Sequence, residues 1–101
     1  MNNLDYLRSQ YLDLVNNQLP NIAINRHFPV RLNHCFARII LDNLFGDIWY
    51  NHLSGKTPAY QQLTEKQLEG AIQIAENIIN YPNRVINNLN NNSLNWRGTL
   101  K

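Results

Sequence analysis

Apolar residues at Leu4, Leu7, Tyr11, Leu14 and Val15 recur at steps of three and four, the spacing that gathers side chains on one face of an α-helix. The pattern predicts a first amphipathic helix from Leu4 to about Gln18, with Asn2 or Asn3 as its cap. Pro20 lacks an amide hydrogen and disfavours helix in the residue before it, so the helix is expected to stop there. The stretch Asn21 to Val30 then alternates Ile22 and Ile24 before Phe28 and Pro29, and reads as an extended segment crossing the domain. A central helix is expected from Leu32 or Asn33, with Phe36, Ile39, Ile40, Leu44 and Phe45 at helical spacing and Cys35 and Leu41 widening the apolar arc. Gly46 is the natural place for it to break or kink, and Ile48 to Leu53 add a further turn or two.

Ser54, Gly55 and Pro58 mark a loop. Thr64-Glu65-Lys66-Gln67 after it is a capping box, in which the Thr64 hydroxyl and the Gln67 side chain each satisfy an otherwise free amide. The helix that follows carries Leu68, Ala71, Ile72, Ala75, Ile78 and Ile79 on one face and ends at Pro82. Val85, Ile86 and Leu89 suggest a short further helix, whereas Asn90-Asn91-Asn92-Ser93 favours loop. The fold class is therefore mostly α: a compact bundle of three or four helices with an extended crossing segment near residues 21–30. Residues 1–90 form one helical domain, and 91–101 a tail that is flexible or docked. Trp96, a large aromatic on that polar tail, either packs into a groove of the protein or awaits a partner.

Composition narrows the function classes. A chain of 101 residues fills one core, and its 44% apolar content is that of a globular protein. Charged residues make up only 16%, and eighteen asparagines keep the surface polar without charge. The net charge of +2 is too small to draw nucleic acid or an anionic membrane by long-range field. Arg38 and Asp42 interrupt the best hydrophobic stretch and no charged-then-apolar segment opens the chain, so a cytoplasmic protein with no membrane partner is expected. One cysteine excludes an internal disulfide and any cysteine-rich zinc module.

The residues with chemical potential cluster between Asn33 and Tyr60. His34 and Cys35 are sequence neighbours, but helical neighbours point about 100° apart, so they do not form a thiolate–imidazole pair, and Cys35 reads as a buried structural thiol. Steps of four place His34, Arg38 and Asp42 along one polar stripe of an apolar helix. Two readings compete for it. In one, Arg38 and Asp42 are a partly buried ion pair that orients the helix. In the other, His34 and Arg38 grip a carboxylate or carbonyl of a ligand while Asp42 fixes the arginine. Trp49, Tyr50, His52 and Tyr60 follow as an aromatic cluster, suited equally to a recognition groove and to a corner of the core. Arg26, His27, Arg31 and Lys56 would give such a groove a basic rim, fitting an acidic peptide or a terminal carboxylate. Catalysis by the stripe would need a nucleophile or a bound cofactor and the sequence offers neither, and no metal is expected, since zinc needs a third ligand and His34 and His52 have no HxxxH or HxH spacing.

The string His34-Cys35-Phe36-x-Arg38-Ile39-x-Leu41-Asp42, with Trp49-Tyr50-x-His52-Leu53 and Pro58-Ala59-Tyr60-x-x-Leu63-Thr64 after it, resembles a family of small bacterial proteins often labelled acetyltransferase. The resemblance spans roughly residues 27 to 80. An acetyl-coenzyme A fold of that kind needs a longer, strand-rich chain and a glycine-rich pyrophosphate loop, and neither is present here. The chain is also similar in size to accessory proteins of radical-SAM enzymes that excise part of a tyrosine from ribosomally made peptides. That resemblance implies a non-catalytic module holding a precursor peptide or the enzyme, and the chain lacks the three-cysteine cluster motif for radical chemistry. The expected function is thus a peptide- or enzyme-binding accessory protein, with a small group transferase or a structural homodimer as alternatives. The expected ligand-binding set is His34, Arg38, Asp42, Trp49, Tyr50, His52 and Tyr60.

Overall fold

The computed structural model describes residues 3–98. Among them 73% are helical and no strand occurs, so the mostly α bundle expected from the hydrophobic pattern is the architecture found. In chain order the elements are α1 (Asn3–Asp13), a π-helical turn (Leu14–Gln18), α2 (Leu19–Ala23), α3 (Asn33–Phe45), a 3-10 turn (Trp49–Asn51), α4 (Ala59–Gln62), α5 (Glu65–Asn80) and α6 (Arg84–Trp96). Asn2, one of the two caps expected for the first helix, and the last three residues lie outside the described residues.

Pro20 does not stop the first helix. The chain runs without a break from α1 through the π turn into α2, where Pro20 sits in the first turn and its missing amide costs nothing. The Leu19 amide donates to the Leu14 carbonyl, five residues back, and this wider turn carries the backbone past the proline ring. The same turn serves packing. Leu7, Tyr11, Val15, Leu19 and Ala23 are buried at strict steps of four. In an α-helix such a row drifts by about 40° per step, and the extra residue of the π turn takes up part of that drift.

The extended crossing segment expected over 21–30 is therefore helical to Ala23. The end is a Schellman motif: the Phe28 amide donates to the Ala23 carbonyl (2.9 Å) and the His27 amide to that of Ile24 (3.2 Å). His27 occupies the left-handed position, at φ 55°, that glycine usually fills. Ile24 to His27 form the turn, and Phe28 to Leu32 cross to α3 without regular structure. Arg26 belongs to this corner and not to a basic rim. Its guanidinium donates to the carbonyls of Ile78 (3.1 Å), Ile79 (2.8 Å) and Tyr81 (2.6 Å) and to the Asn83 side chain (3.0 Å), capping the C-terminus of α5 with a cation.

Helix α3 is the central element, packed against the π turn, α2, α5 and α6. Phe36, Ile39, Ile40 and Leu41 are buried, as a wide apolar arc requires. Gly46 ends the helix in the left-handed conformation at φ 66°, and the Asp42 carbonyl accepts the amides of both Gly46 and Asp47. Helix α5 starts at the capping box read from sequence: the Gln67 amide donates to Thr64 Oγ1 (3.1 Å) and the Thr64 amide to Gln67 Oε1 (2.9 Å). Its residues Leu68, Ala71, Ile72, Ala75 and Ile78 face the core. Gly70 lets α3 approach, since a Cβ there would stand 3.0 Å from Leu44 Cδ1.

Residues 90–93, read from sequence as loop, lie inside α6, which runs to Trp96. Propensity is overridden by packing: Ile86, Asn90 and Ser93 form one buried face against α3. Trp96, in the last turn, is half-buried.

Candidate functional site

The face of α3 that carries Asn33, His34, Ala37 and Leu41 forms one wall of an open groove of about 230 Å³. Tyr11, Leu12, Val15 and Asn16, from α1 and the π turn, form the facing wall. Both sets follow helical spacing, so each wall is a single stripe. The walls are tied together by the Asn33 side-chain amide, which donates to Asn16 Oδ1 at 3.2 Å. Trp49, Ala59 and Tyr60 complete the lining.

Two local arrangements deliver these last three residues. The left-handed Gly46 turns the chain back so that the Trp49 amide reaches Asp42 Oδ1 at 3.0 Å, which starts the 3-10 turn. Trp49 is half-buried, with its ring centroid 4.4 Å from that of Tyr50. The loop before α4 is closed by Gln62, whose side chain accepts from the Ser54 amide (2.7 Å) and donates to the carbonyls of Ser54 and Thr57 (2.8 Å each). Arg8 of α1 holds the other side of α4 through the Gln61 carbonyl at 3.0 Å. Tyr60 is thus presented by a short helix anchored through its last two residues.

The expected stripe of His34, Arg38 and Asp42 divides. His34 is exposed and lines the groove, whereas Arg38 and Asp42 turn toward α6. Asp42 is 0% exposed and its cation is Arg97, 55 residues away, not Arg38. Arg97 Nε donates to Asp42 Oδ2 (2.7 Å) and Nη2 to Oδ1 (3.0 Å), a bidentate fork. Ser93 Oγ donates to Asp42 Oδ2 (2.6 Å) and accepts from Arg38 Nη1 (2.8 Å), and Arg38 Nη2 reaches Asn90 Oδ1 (2.9 Å). The ion pair expected four residues apart on one helix is replaced by a relay across two helices. Alongside it Asn43 donates to the carbonyls of Ile39 (2.8 Å) and Leu89 (2.9 Å). The Asp42 carboxylate pushes the Arg97 guanidinium further up from its already high range, with a smaller contribution from Tyr50. Arg97 also lies over the Tyr50 ring, 4.9 Å from its centroid.

Tyr50 and His52 stand apart from the groove. Tyr50 is 60% exposed. The His52 ring stacks on Phe45 at 4.8 Å, and its Nε2 lies 3.3 Å from Asp47 Oδ2. Hydrogen bonds from the Asn51 side chain and the Ile48 amide, with His52 beside them, hold the exposed Asp47 carboxyl below the usual carboxylate range. Cys35 is half-buried and not a core residue. Among the described residues no group of three His, Cys, Asp or Glu side chains is placed to hold a metal ion, and no helix is long and apolar enough to cross a membrane.

The structure thus brings together His34, Trp49 and Tyr60, and places Arg38, Asp42, Tyr50 and His52 outside the groove. Reading the sequence missed Tyr11, Leu12 and Ala37 as lining residues, because on their own helices they look like ordinary core positions. It also missed Asn90, Ser93 and Arg97. The available signal was their spacing of three and four, a polar stripe on a segment whose other stripe is Ile86 and Leu89, matching the polar pair Arg38 and Asp42 on α3. Compared with family models, with curated proteins and with solved structures, the chain shows no match.

Proposed function

We propose that the chain is a non-catalytic binding module whose groove takes one apolar or aromatic side chain of a peptide. The observation that carries this reading is the open groove itself, where Trp49, Tyr60 and Tyr11 surround a space with His34 as its one titratable base. Aromatic rings with a polar end are the usual anchors of peptide recognition, since they desolvate a large area at small entropic cost. The volume suits a side chain: about 230 Å³ falls below the roughly 300–1,000 Å³ of pockets that enclose small molecules. The groove itself is a poor fit for a coenzyme. Shape and apolar contact select the occupant more than Arg26 does, since that residue, expected on a basic rim, is committed to the end of α5.

In its more specific form, resting on the similarity in size to accessory proteins of radical-SAM enzymes, the peptide is a ribosomally made precursor and the module assists such an enzyme. Titration of the ¹⁵N-labelled protein with N-acetyl-tyrosine amide, N-acetyl-tryptophan amide and N-acetyl-leucine amide tests the general form. Amide shifts should centre on Tyr11, His34, Ala37, Trp49 and Tyr60, and should vanish in Ala37→Leu, whose side chain fills the groove. Shifts elsewhere on the surface, or none with any of the three probes, would refute it.

A further inference from the structure

We propose that Arg97 is a positioning residue of the groove, holding Trp49 in the groove wall from the far side of α3; the functional meaning of this rests on the groove being the binding site. The geometry gives one guanidinium two routes to Trp49, one to its main-chain amide and one to its ring. By the first, Arg97 forks onto Asp42 at 2.7 and 3.0 Å, and the same Oδ1 that receives Arg97 Nη2 accepts the Trp49 amide at 3.0 Å. By the second, Arg97 lies 4.9 Å from the centroid of the Tyr50 ring, which in turn packs 4.4 Å from Trp49. Trp49 opens a 3-10 turn of only three residues and packs at the edge of the core, so these contacts add to the few that fix it.

Arg97 does not line the groove. Arg38, by contrast, shares Ser93 with Asp42 but has neither the fork on the carboxylate nor the contact with Tyr50. The two arginines therefore separate positioning from stability. Both support the packing of α6 on α3, and only Arg97 fixes the turn that carries Trp49. It follows that seating of the last turn of α6 and occupancy of the groove are linked, each favouring the other, since linkage between two binding events is reciprocal.

The test labels the protein with 5-fluorotryptophan in a Trp96→Phe background, which leaves Trp49 as the one remaining tryptophan of two. The ¹⁹F line of Trp49 should move and broaden in Arg97→Gln. It should move less in Arg97→Lys, which keeps the charge and loses the planar fork. In Arg38→Gln it should stay where the parent places it. Affinity for N-acetyl-tryptophan amide should weaken about threefold to tenfold in Arg97→Gln, the scale at which contacts behind a site act on it. A Trp49 line unmoved in both Arg97 variants, or moved as far by Arg38→Gln, would overturn the proposal. If Arg97→Gln does not fold, Arg97→Lys against Arg38→Gln makes the same comparison. Should the parent bind none of the amide probe, the groove reading falls, while the ¹⁹F line still decides the role of Arg97.

Discussion

Helix α3 presents two neighbouring faces, about 100° apart, that have been put to opposite uses. Toward α6, Arg38, Asp42 and Asn43 are bound into partners: a guanidinium, a hydroxyl, an amide side chain and a main-chain carbonyl. Toward the π turn, His34, Ala37 and Leu41 border open space with Trp49 and Tyr60 across it. From sequence, polarity left Arg38 and Asp42 of the first face open between a structural pair and a grip on a ligand. The structure shows why polarity misleads: a buried carboxylate costs several kcal/mol unless it is paired and hydrogen-bonded, so such residues tend to be satisfied from within. Side chains left open are those for which incomplete burial costs little.

The strongest way to break this contrast is Asp42→Ala, which strands Arg97, the Ser93 hydroxyl and the Trp49 amide together. A loss of about 3 kcal/mol or more is expected, read by urea denaturation. A loss under about 1 kcal/mol, the level of exposed ion pairs, would mean the seam is no more than a surface pair. Next in size is the response of the groove side to alkali. Burial pushes the Tyr11 phenol above its ordinary range, so the unfolded chain releases that proton near pH 10 while the folded chain keeps it. Stability from this group is complete below about pH 10 and falls as pH rises, by up to about 1.4 kcal/mol per pH unit. Tyr11→Phe should remove that slope in denaturation curves between pH 9 and 11. The smallest effect should come from Ala37→Leu, which adds volume to a groove and not to a filled core. A change within about 1 kcal/mol is expected, whereas overpacking a tight interior typically costs about 1–3 kcal/mol. A larger loss would show that this face is packed and not open.

Legibility followed the range of the interactions. Helix α5 could be read almost to the residue, because its capping box spans four positions and its apolar face repeats every three or four. Helix α6 could not be read past Leu89, because what makes residues 90–96 helical is the polar face of α3, some fifty positions earlier. The same distance hid the site. Sequence located the polar stripe of Arg38 and Asp42 on the right helix, yet the natural partner four residues away was the wrong one, and Arg97 was marked only by its spacing from Asn90 and Ser93. Trp49 and Tyr60 were legible as an aromatic cluster, but the opposite wall was not, since Tyr11 and Leu12 reach the groove only through the packing of the first helix. Pro20 misled for a different reason: its effect on a helix depends on how wide the preceding turn is, which residue type alone does not reveal.

That wide turn also sets how the chain can change in length. The residues before it and those after it keep their buried sides aligned only because the turn holds one residue more than an α-helical turn would. Asn17 lies there, exposed, with its side chain on Asp13 at 2.9 Å, and by its contacts it is dispensable. Replacing it disturbs one surface hydrogen bond. Deleting it would rotate α1 by about 100° against α2 and carry Leu7 and Tyr11 away from the core and groove together. At this position the backbone counts residues where the side chain hardly matters.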